Sequence, residues 1–389
     1  MRPVSIIGVG LLPVTRGAHR PASELAAEAV RQALADTGGL VGRPDALVVG
    51  NMMSGLLSDQ TQLGALVADR AGFRGVEAVT VEAACASGAA AVRQGLMAVA
   101  SGLHRAVVVV GVETMTHTPK ERTTHALATA SDWAAEGAHG ETFVSLNARL
   151  MAAYMAAYGA RPEDFAPLAL TAHDNACDNP LAVFHKRVTL DDYLASREIV
   201  PPVRLYDASP MCDGAAALVL ADAELASEAR RAGRPVALVR ASAAATDALA
   251  LADRRTLLAL DAAAASARRA YDEAGIGPDD VDLFELHDAY TVISALSLEA
   301  AGFAPPGRAL ALAAEGAIGR GGRVPIATMG GLKGRGHPVG ATGLYQIGEA
   351  ALQLSGRAGA CQVRGAALAL CQNVGGTGAT VVTHVLEAR

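Results

Sequence analysis

Apolar residues in this chain gather in short runs, separated by stretches in which they recur every three to four positions. That is the pattern of strands covered by amphipathic helices. Val4 to Gly8 is the first run; an amphipathic helix from about Ser23 to Ala35 follows, then Asp45-Ala-Leu-Val-Val-Gly50 as a second strand. A helix near Gln62 to Ala71 precedes Val79-Thr-Val81, a third strand, after which an Ala-rich segment without breakers predicts another helix. Arg105 to Gly111, with four consecutive valines, reads as a parallel strand buried on both faces.

From about Glu113 to Asp207 the texture changes. This segment carries most of the aromatic residues and five histidines (His117, His125, His139, His173, His185), and it reads as an irregular insertion lying over the sheet. Strand character returns at Asp213-Gly-Ala-Ala-Ala-Leu-Val-Leu, and Pro235 to Ala241 opens a second half. That half repeats the first. The helix before Asp45 and its strand match the helix before Val281-Asp-Leu-Phe-Glu, and Cys85-Ala-Ser-Gly with its helix and strand matches His337-Pro-Val-Gly with its own. Cys85 and His337 thus hold the same station in the two halves. If the halves pack as pseudo-symmetric partners, both helix starts face one cleft. The division expected is an N-terminal half at 1–112, completed by the strand at 213–221, an inserted loop domain at 113–212, and a C-terminal half at 222–389.

Composition narrows the class. The 389 residues are 51% hydrophobic but only 4% aromatic, so the core must be built from Ala, Val and Leu, as when helices pack closely on strands. A net charge of −6 without any long basic block argues against a nucleic-acid partner. No stretch has the length and apolarity of a membrane span, and the N-terminus lacks the regions of a signal peptide. The five cysteines are odd in number and show no C-x-x-C spacing, which suggests neither a disulfide framework nor a metal site and fits a reducing cytoplasm. Gly8-Val-Gly10 is followed by Leu-Leu-Pro, which cannot complete a dinucleotide-binding loop.

The candidate chemistry lies in four turns. Cys85 sits where a strand ends and a helix begins, so unpaired amides and the helix dipole are expected to lower its pKa, while Ala84, Ala86, Ser87 and Gly88 let a carbonyl approach. His337, in Gly330-Gly-Leu-Lys-Gly-Arg-Gly-His337-Pro-Val-Gly-Ala-Thr-Gly343, is an imidazole in a glycine-rich turn, suited to take a thiol proton. Glu285-Leu-His287-Asp288-Ala-Tyr290 ends a strand with polar groups; Asp288 as a helix cap with a satisfied His287 is one reading, His287 as a donor to a substrate oxygen the other. Cys371-Gln-Asn-Val-Gly-Gly-Thr-Gly378 supplies a glycine turn whose amides could form an oxyanion site.

Cys85-Ala-Ser-Gly, Gly111-Val-Glu-Thr-Met-Thr, Cys212-Asp-Gly-Ala-Ala-Ala, His287-Asp-Ala-Tyr, Gly336-His-Pro-Val-Gly-Ala-Thr-Gly and Val374-Gly-Gly-Thr-Gly, in this order, resemble the motif series of the thiolase superfamily. The resemblance is nearest its sterol-carrier-protein-type and archaeal acetyl-CoA acetyltransferase branch and spans nearly the whole chain. It implies the five-layered αβαβα fold, acyl-CoA and CoA as substrates with no further cofactor, and a homodimer or homotetramer. It also implies Cys85 as acyl-accepting nucleophile, His337 as its activator, His287 at one oxyanion site, and the amides of Cys85 and the Gly375–Gly376 turn at another. Glu113 would be structural. The inserted domain would supply much of the coenzyme A surface; Lys186, Arg187, Arg204, Arg254 and Arg255 are phosphate contacts or solvated charges.

Carbon–carbon bond chemistry on thioesters needs a second acid/base. Thiolases use a cysteine, and the two places where it occurs in the family hold Ala289 and, in register, Gln372, with Cys371 one residue away. Cys371 therefore enters as a candidate beside Tyr290, Tyr345 and His287. Three readings stay open: an acyltransferase working through a Cys85 acyl-enzyme, a lyase (retro-aldolase) or non-standard acyltransferase of the same fold acting on a thioester with a small OB-fold/zinc-ribbon partner, and a non-catalytic thioester-binding scaffold.

Overall fold

The computed structural model describes residues 2–17 and 20–389. In chain order the first half contains β1 (Val4–Leu11), α1 (Ala22–Asp36), β2 (Ala46–Gly50), the single turn α2 (Ser54–Leu57), α3 (Leu63–Ala71), β3 (Glu77–Val81), α4 (Ser87–Ser101) and β4 (Ala106–Glu113). Next come α5 (Lys120–Ala128), α6 (Phe143–Tyr158), α7 (Ala166–Cys177), α8 (Leu190–Ala195), β5 (Glu198–Val200), β6 (Val203–Arg204), β7 (Gly214–Ala221) and α9 (Ala223–Arg231). The remainder is β8 (Ala237–Thr246), α10 (Asp261–Ala274), β9 (Leu283–Glu285), α11 (Thr291–Ala300), α12 (Ala309–Ala314), α13 (Thr342–Leu354), β10 (Leu368–Gly375) and β11 (Thr380–Ala388).

Nine strands form one sheet in the order β3-β2-β4-β7-β1-β8-β11-β10-β9. The run β2-β4-β7-β1 is mirrored by β9-β10-β11-β8, with matching directions: β2–β4 and β9–β10 are parallel, while β4–β7, β7–β1, β10–β11 and β11–β8 are antiparallel. Even the parallel edge strand β3 has a remnant counterpart, an isolated parallel bridge between Phe284 and Ile326. The halves meet at a short seam where Val4–Ile6 pair with Ala237–Val239.

Side-chain packing makes five layers. Ala29 of α1, Leu63 of α3 and Ala226 of α9 cover the outer face of the first half-sheet, against Val108 and Val219. Leu96 of α4 and Leu344 of α13 lie between the half-sheets, touching a core that includes Val109 and Leu218 from one and Leu283 and Leu386 from the other. Ala263 of α10 and Leu296 of α11 cover the far face with Leu370 and Val385. The core is dominated by Ala, Val and Leu, whose small volume lets these layers approach.

The insertion between β4 and β7 differs from the irregular segment expected. Four helices and a two-stranded ribbon account for about half of it, and Leu150, Tyr154, Phe165 and Leu168 from α6, α7 and the turn between them join the core under α11. Tyr154 and Phe165 thus extend the core of the C-terminal half into the insertion, while Trp133 and Tyr158 stay exposed. No helix is long and apolar enough to cross a membrane among the described residues.

Candidate active site

Cys85 stands between β3 and α4 in a turn held by its neighbours. The Ser87 hydroxyl donates to the Ala84 carbonyl at 2.6 Å and accepts the Ala83 amide at 2.9 Å, while Ala84 sits at φ 51°, a left-handed conformation costly for any residue with a Cβ. Strain of this kind beside a candidate nucleophile is a common mark of function. The Gly376 amide is placed to favour a thiolate at Cys85, and Cys85 packs with Met53, Met115, Ala126 and Val339, so its surroundings are apolar.

His337 is fixed at three points. Its amide donates to the Cys212 sulfur at 3.0 Å, and the carbonyl before it, on Gly336 at φ 118°, accepts from the Arg335 guanidinium at 2.9 Å. Its Nδ1 lies 2.7 Å from Thr342 Oγ1. The insertion holds the loop from outside, since the Asn175 amide donates to the carbonyls of Ile326 and Ala327, and Asn179 to that of Met329.

His287 follows β9, and its ring stands nearly perpendicular to that of His337, with centroids 5.1 Å apart. A nitrogen of each ring and the Cys85 sulfur all lie within 4.8 Å of one another. Residues 85, 287 and 337 are therefore brought into one cleft. The Asn373 amide nitrogen is 3.0 Å from His287 Nδ1, a contact that sequence reasoning missed. With both Nδ1 atoms engaged, the nitrogens left to face the thiol are the Nε2 atoms.

Electrostatics correct one expectation. Burial pushes the Cys85 thiol up to about 12, outweighing the amides of Gly376 and of Cys85 itself, so the resting group is a thiol and not a thiolate. Burial also keeps both imidazoles neutral: His287 is lowered to about 3, with Lys333 and Arg335 contributing, and His337 is held well below its ordinary value, with His287 and Arg335 contributing. A neutral thiol beside neutral imidazoles holds no resting thiolate–imidazolium pair.

Glu113 is structural in this geometry. Its carboxylate accepts from the Asn51 side chain at 2.9 Å and from the amides of Met52 at 3.0 Å and Gly340 at 3.1 Å, tying the strand ends of the first half to the His337 turn. Asp288 does not cap a helix with its side chain. It forms a fully buried pair with Lys333 at 3.0 Å and accepts the Leu332 amide at 2.6 Å, which shapes the same loop from the other side.

Cys371 is not in the cleft. Its thiol points at the Gln346 carbonyl, 3.7 Å away, inside the apolar layer beneath α13, and burial raises its pKa well above the ordinary value. Gln372 faces the opposite side of β10, donating to the Ala263 carbonyl at 3.2 Å. Side chains alternate along a strand, so 371 and 373 share a face, and it is Asn373, about 7 Å further along, that reaches the site. Tyr345 donates to the carbonyls of Leu12 and Ala215, which fixes it elsewhere. Tyr290 is different: its phenol lies close enough to Cys85 for a thiolate there to raise its pKa.

Among the basic candidates, Arg187 pairs with Asp174, Arg204 with Glu198 and Arg255 with Asp261. Arg254 is buried and donates to the Thr377 carbonyl at 2.7 Å, bracing the turn that carries Gly376. Lys186 has no ion pair among the described residues.

Two halves of one topology that place a thiol and a base at matched helix starts define a thiolase-type protein. Residues 4–224 match the thiolase N-terminal domain and residues 243–388 the thiolase C-terminal domain-like family, so the chain belongs to the thiolase family. It is similar to an acetyl-CoA acetyltransferase of Methanothermobacter thermautotrophicus, 40% identical over 387 residues with 100% of each chain covered. It is also 30% identical to human sterol carrier protein 2, over 98% of this chain and 72% of that one. Among solved structures, the Ltp2-ChsH2(DUF35) aldolase superposes with a TM-score of 0.87 at 26% identity, covering 99% of this chain and 98% of that one. The fold also matches an acetyl-CoA acetyltransferase from Syntrophomonas wolfei, with a TM-score of 0.74 at 18% identity over the full length of both chains.

Proposed function

We propose that this chain is an acyl-CoA acyltransferase of the acetyl-CoA acetyltransferase type that works by a ping-pong route through an acyl thioester on Cys85. The observation that carries the reading is the meeting of Cys85, His287 and His337 within 4.8 Å. In the first half-reaction the Cys85 sulfur attacks the thioester carbonyl and its proton passes to His337 Nε2. The amides of Cys85 and Gly376 meet the oxygen as it gains charge. The carbon–sulfur bond to coenzyme A then breaks, and the departing thiolate takes the proton back from His337.

In the second half-reaction the carbonyl of another acetyl thioester accepts a hydrogen bond from His287 Nε2–H. His337, neutral again, removes a proton from its α-carbon. The new carbon–carbon bond forms at the acyl carbon, and Cys85 leaves as a thiolate that recovers the proton from His337. Tyr290, near enough to feel a charge on Cys85, is the phenol available as a further donor. Incubation with acetyl-CoA is expected to give an acetyl adduct by intact mass that Cys85→Ser lacks; a wild-type chain that never acquires the adduct overturns the reading.

A lyase acting on a thioester is the second reading, favoured by the likeness to an aldolase that is paired with a DUF35 chain and by the place of Cys371 outside the cleft. A small partner of that kind fits the same reading. Activity that survives Cys85→Ala but disappears in Tyr290→Phe selects it. The exposed edge strand β3, with Val79 open to solvent and leading directly to Cys85, supports a homo-oligomer in which a second copy pairs at that edge. Five free thiols support a cytoplasmic location.

A further inference from the structure

His287 and His337 are two buried imidazoles that face the same sulfur, and the hydrogen bonds behind them are of opposite sense. The Thr342 hydroxyl has one hydrogen, and it donates to the Pro338 carbonyl at 3.0 Å. Its oxygen is therefore left to accept from His337 Nδ1–H, and His337 Nε2 carries a lone pair. Asn373 works the other way. Its Oδ1 accepts the Ala89 amide from the first turn of α4, so its amide nitrogen is the end turned to His287. An amide NH2 can only donate, which makes His287 Nδ1 the acceptor and puts the ring hydrogen on Nε2.

We propose that Asn373 and Thr342 fix the two imidazoles in opposite tautomers, Asn373 being the positioning residue that keeps His287 a hydrogen donor while Thr342 keeps His337 a base. The inference rests on the acyltransferase reading for its catalytic meaning, though not for the nitrogen assignment. It explains why two similar rings in one cleft are not interchangeable. It also ties the donor to the nucleophile, because the amide that orients Asn373 belongs to the helix that begins beside Cys85.

The test is the imidazole 15N chemical shifts of the full chain, labelled at histidine and assigned with His287→Asn and His337→Asn. The wild type is expected to carry its hydrogen on Nδ1 in His337 and on Nε2 in His287. Asn373→Asp keeps the shape but turns the donor into an acceptor, and is expected to move the His287 hydrogen to Nδ1. Acylation of Cys85 in a single turnover should then stay within a few-fold of wild type, while overall turnover falls about 10²-fold, the effect of losing one oxyanion donor. Should the aspartate variant not fold, Asn373→Ser, too short to reach the ring, is expected to give mixed tautomers at His287 with a smaller loss. A wild-type His287 with its hydrogen on Nδ1, or full turnover with the tautomer inverted, overturns the proposal. Failure of Cys85 to acylate would instead defeat the acyltransferase reading while leaving the nitrogen assignment measurable.

Discussion

The Cα of Gly88 faces the start of α13 so closely that a Cβ there would lie 2.9 Å from the Gly343 nitrogen. Contact is mutual, for a Cβ on Gly343 would come within 2.2 Å of the Ala89 nitrogen and 2.5 Å of Asn373 Oδ1. Two helix starts, one after Cys85 and one after His337, thus touch through bare backbone. This approach sets the distance between thiol and base. Gly343→Ala must push α4 and α13 apart, since backbone atoms cannot rotate away; the expected cost is about 1–3 kcal/mol of stability and a fall in the acylation rate of Cys85. Gly348→Ala on the same helix meets the movable end of Leu11 and should be milder on both measures. Urea unfolding and single-turnover acylation of the two variants check the contrast.

This relationship also shows what could be read from the chain. Cys85-x-x-Gly88 and His337-x-x-Gly340 occupy equal places in a repeated strand and helix order, so the pairing of halves and the meeting of 85 with 337 were legible from spacing. His287 was legible as the polar end of a strand. Asn373 was not, because its partners lie 86 and 284 residues away and no local pattern links them. Cys371 entered as a candidate because it adjoins Gln372, the residue in register; strand parity puts it on the face of Asn373, but two residues of rise leave it beneath α13 and out of reach of the cleft. The insertion was misread because its two longer helices, α6 and α7, carry apolar residues on more than one face and show no clean periodic stripe.

The pH response of the thiol follows from its burial. With Cys85 raised to about 12 and His337 neutral, there is no thiolate–imidazolium pair at rest. The rate of iodoacetamide reaction at Cys85 is expected to rise about tenfold per pH unit from pH 6 to 9 with no plateau, tracking the small thiolate fraction. A preformed ion pair would give a level rate across neutrality. Intact-mass kinetics over that range separates the two.

Breaking the Lys333–Asp288 pair should cost more than removing it. Both side chains are fully buried, and Lys333 also donates to the Asp288 carbonyl at 2.9 Å and to Ser294 at 3.2 Å. Asp288→Ala strands a buried ammonium and releases the Leu332 amide, for an expected loss of about 3–5 kcal/mol. Lys333→Met together with Asp288→Leu strands no charge and is expected to lose less. Equal losses in urea unfolding of the single and double variants would show that the loop, and not the charge, sets the cost.

His384 offers an acid-stability test free of the active site. It lies on β11 opposite Cys371 of β10 and Ser242 of β8, wholly buried, with neither ring nitrogen hydrogen-bonded among the described residues. Burial, reinforced by Arg93 of α4, lowers its pKa to about 3, and burial likewise takes His173 down to about 4. The unfolded chain binds a proton at each of these near pH 6.5, so its proton uptake exceeds that of the fold between that pH and the lowered value. The contribution is complete above pH 6.5 and is lost as pH falls toward 3, by about 2 kcal/mol for each histidine at pH 5. Buried carboxylates oppose this. Glu285 is raised to about 6 and Glu113 to about 7, so their contribution is present below pH 4.5 and lost as pH rises through those values. The wild-type slope is therefore a partial cancellation, and the difference between proteins is the clean measurement. His384→Leu removes two unpaired polar atoms and one titration; it is expected to match or exceed wild-type stability at pH 7.5 and to exceed it by about 2 kcal/mol more at pH 5. Parallel pH dependences for the two proteins would mean that His384 is protonated in the fold and finds its charge balanced there.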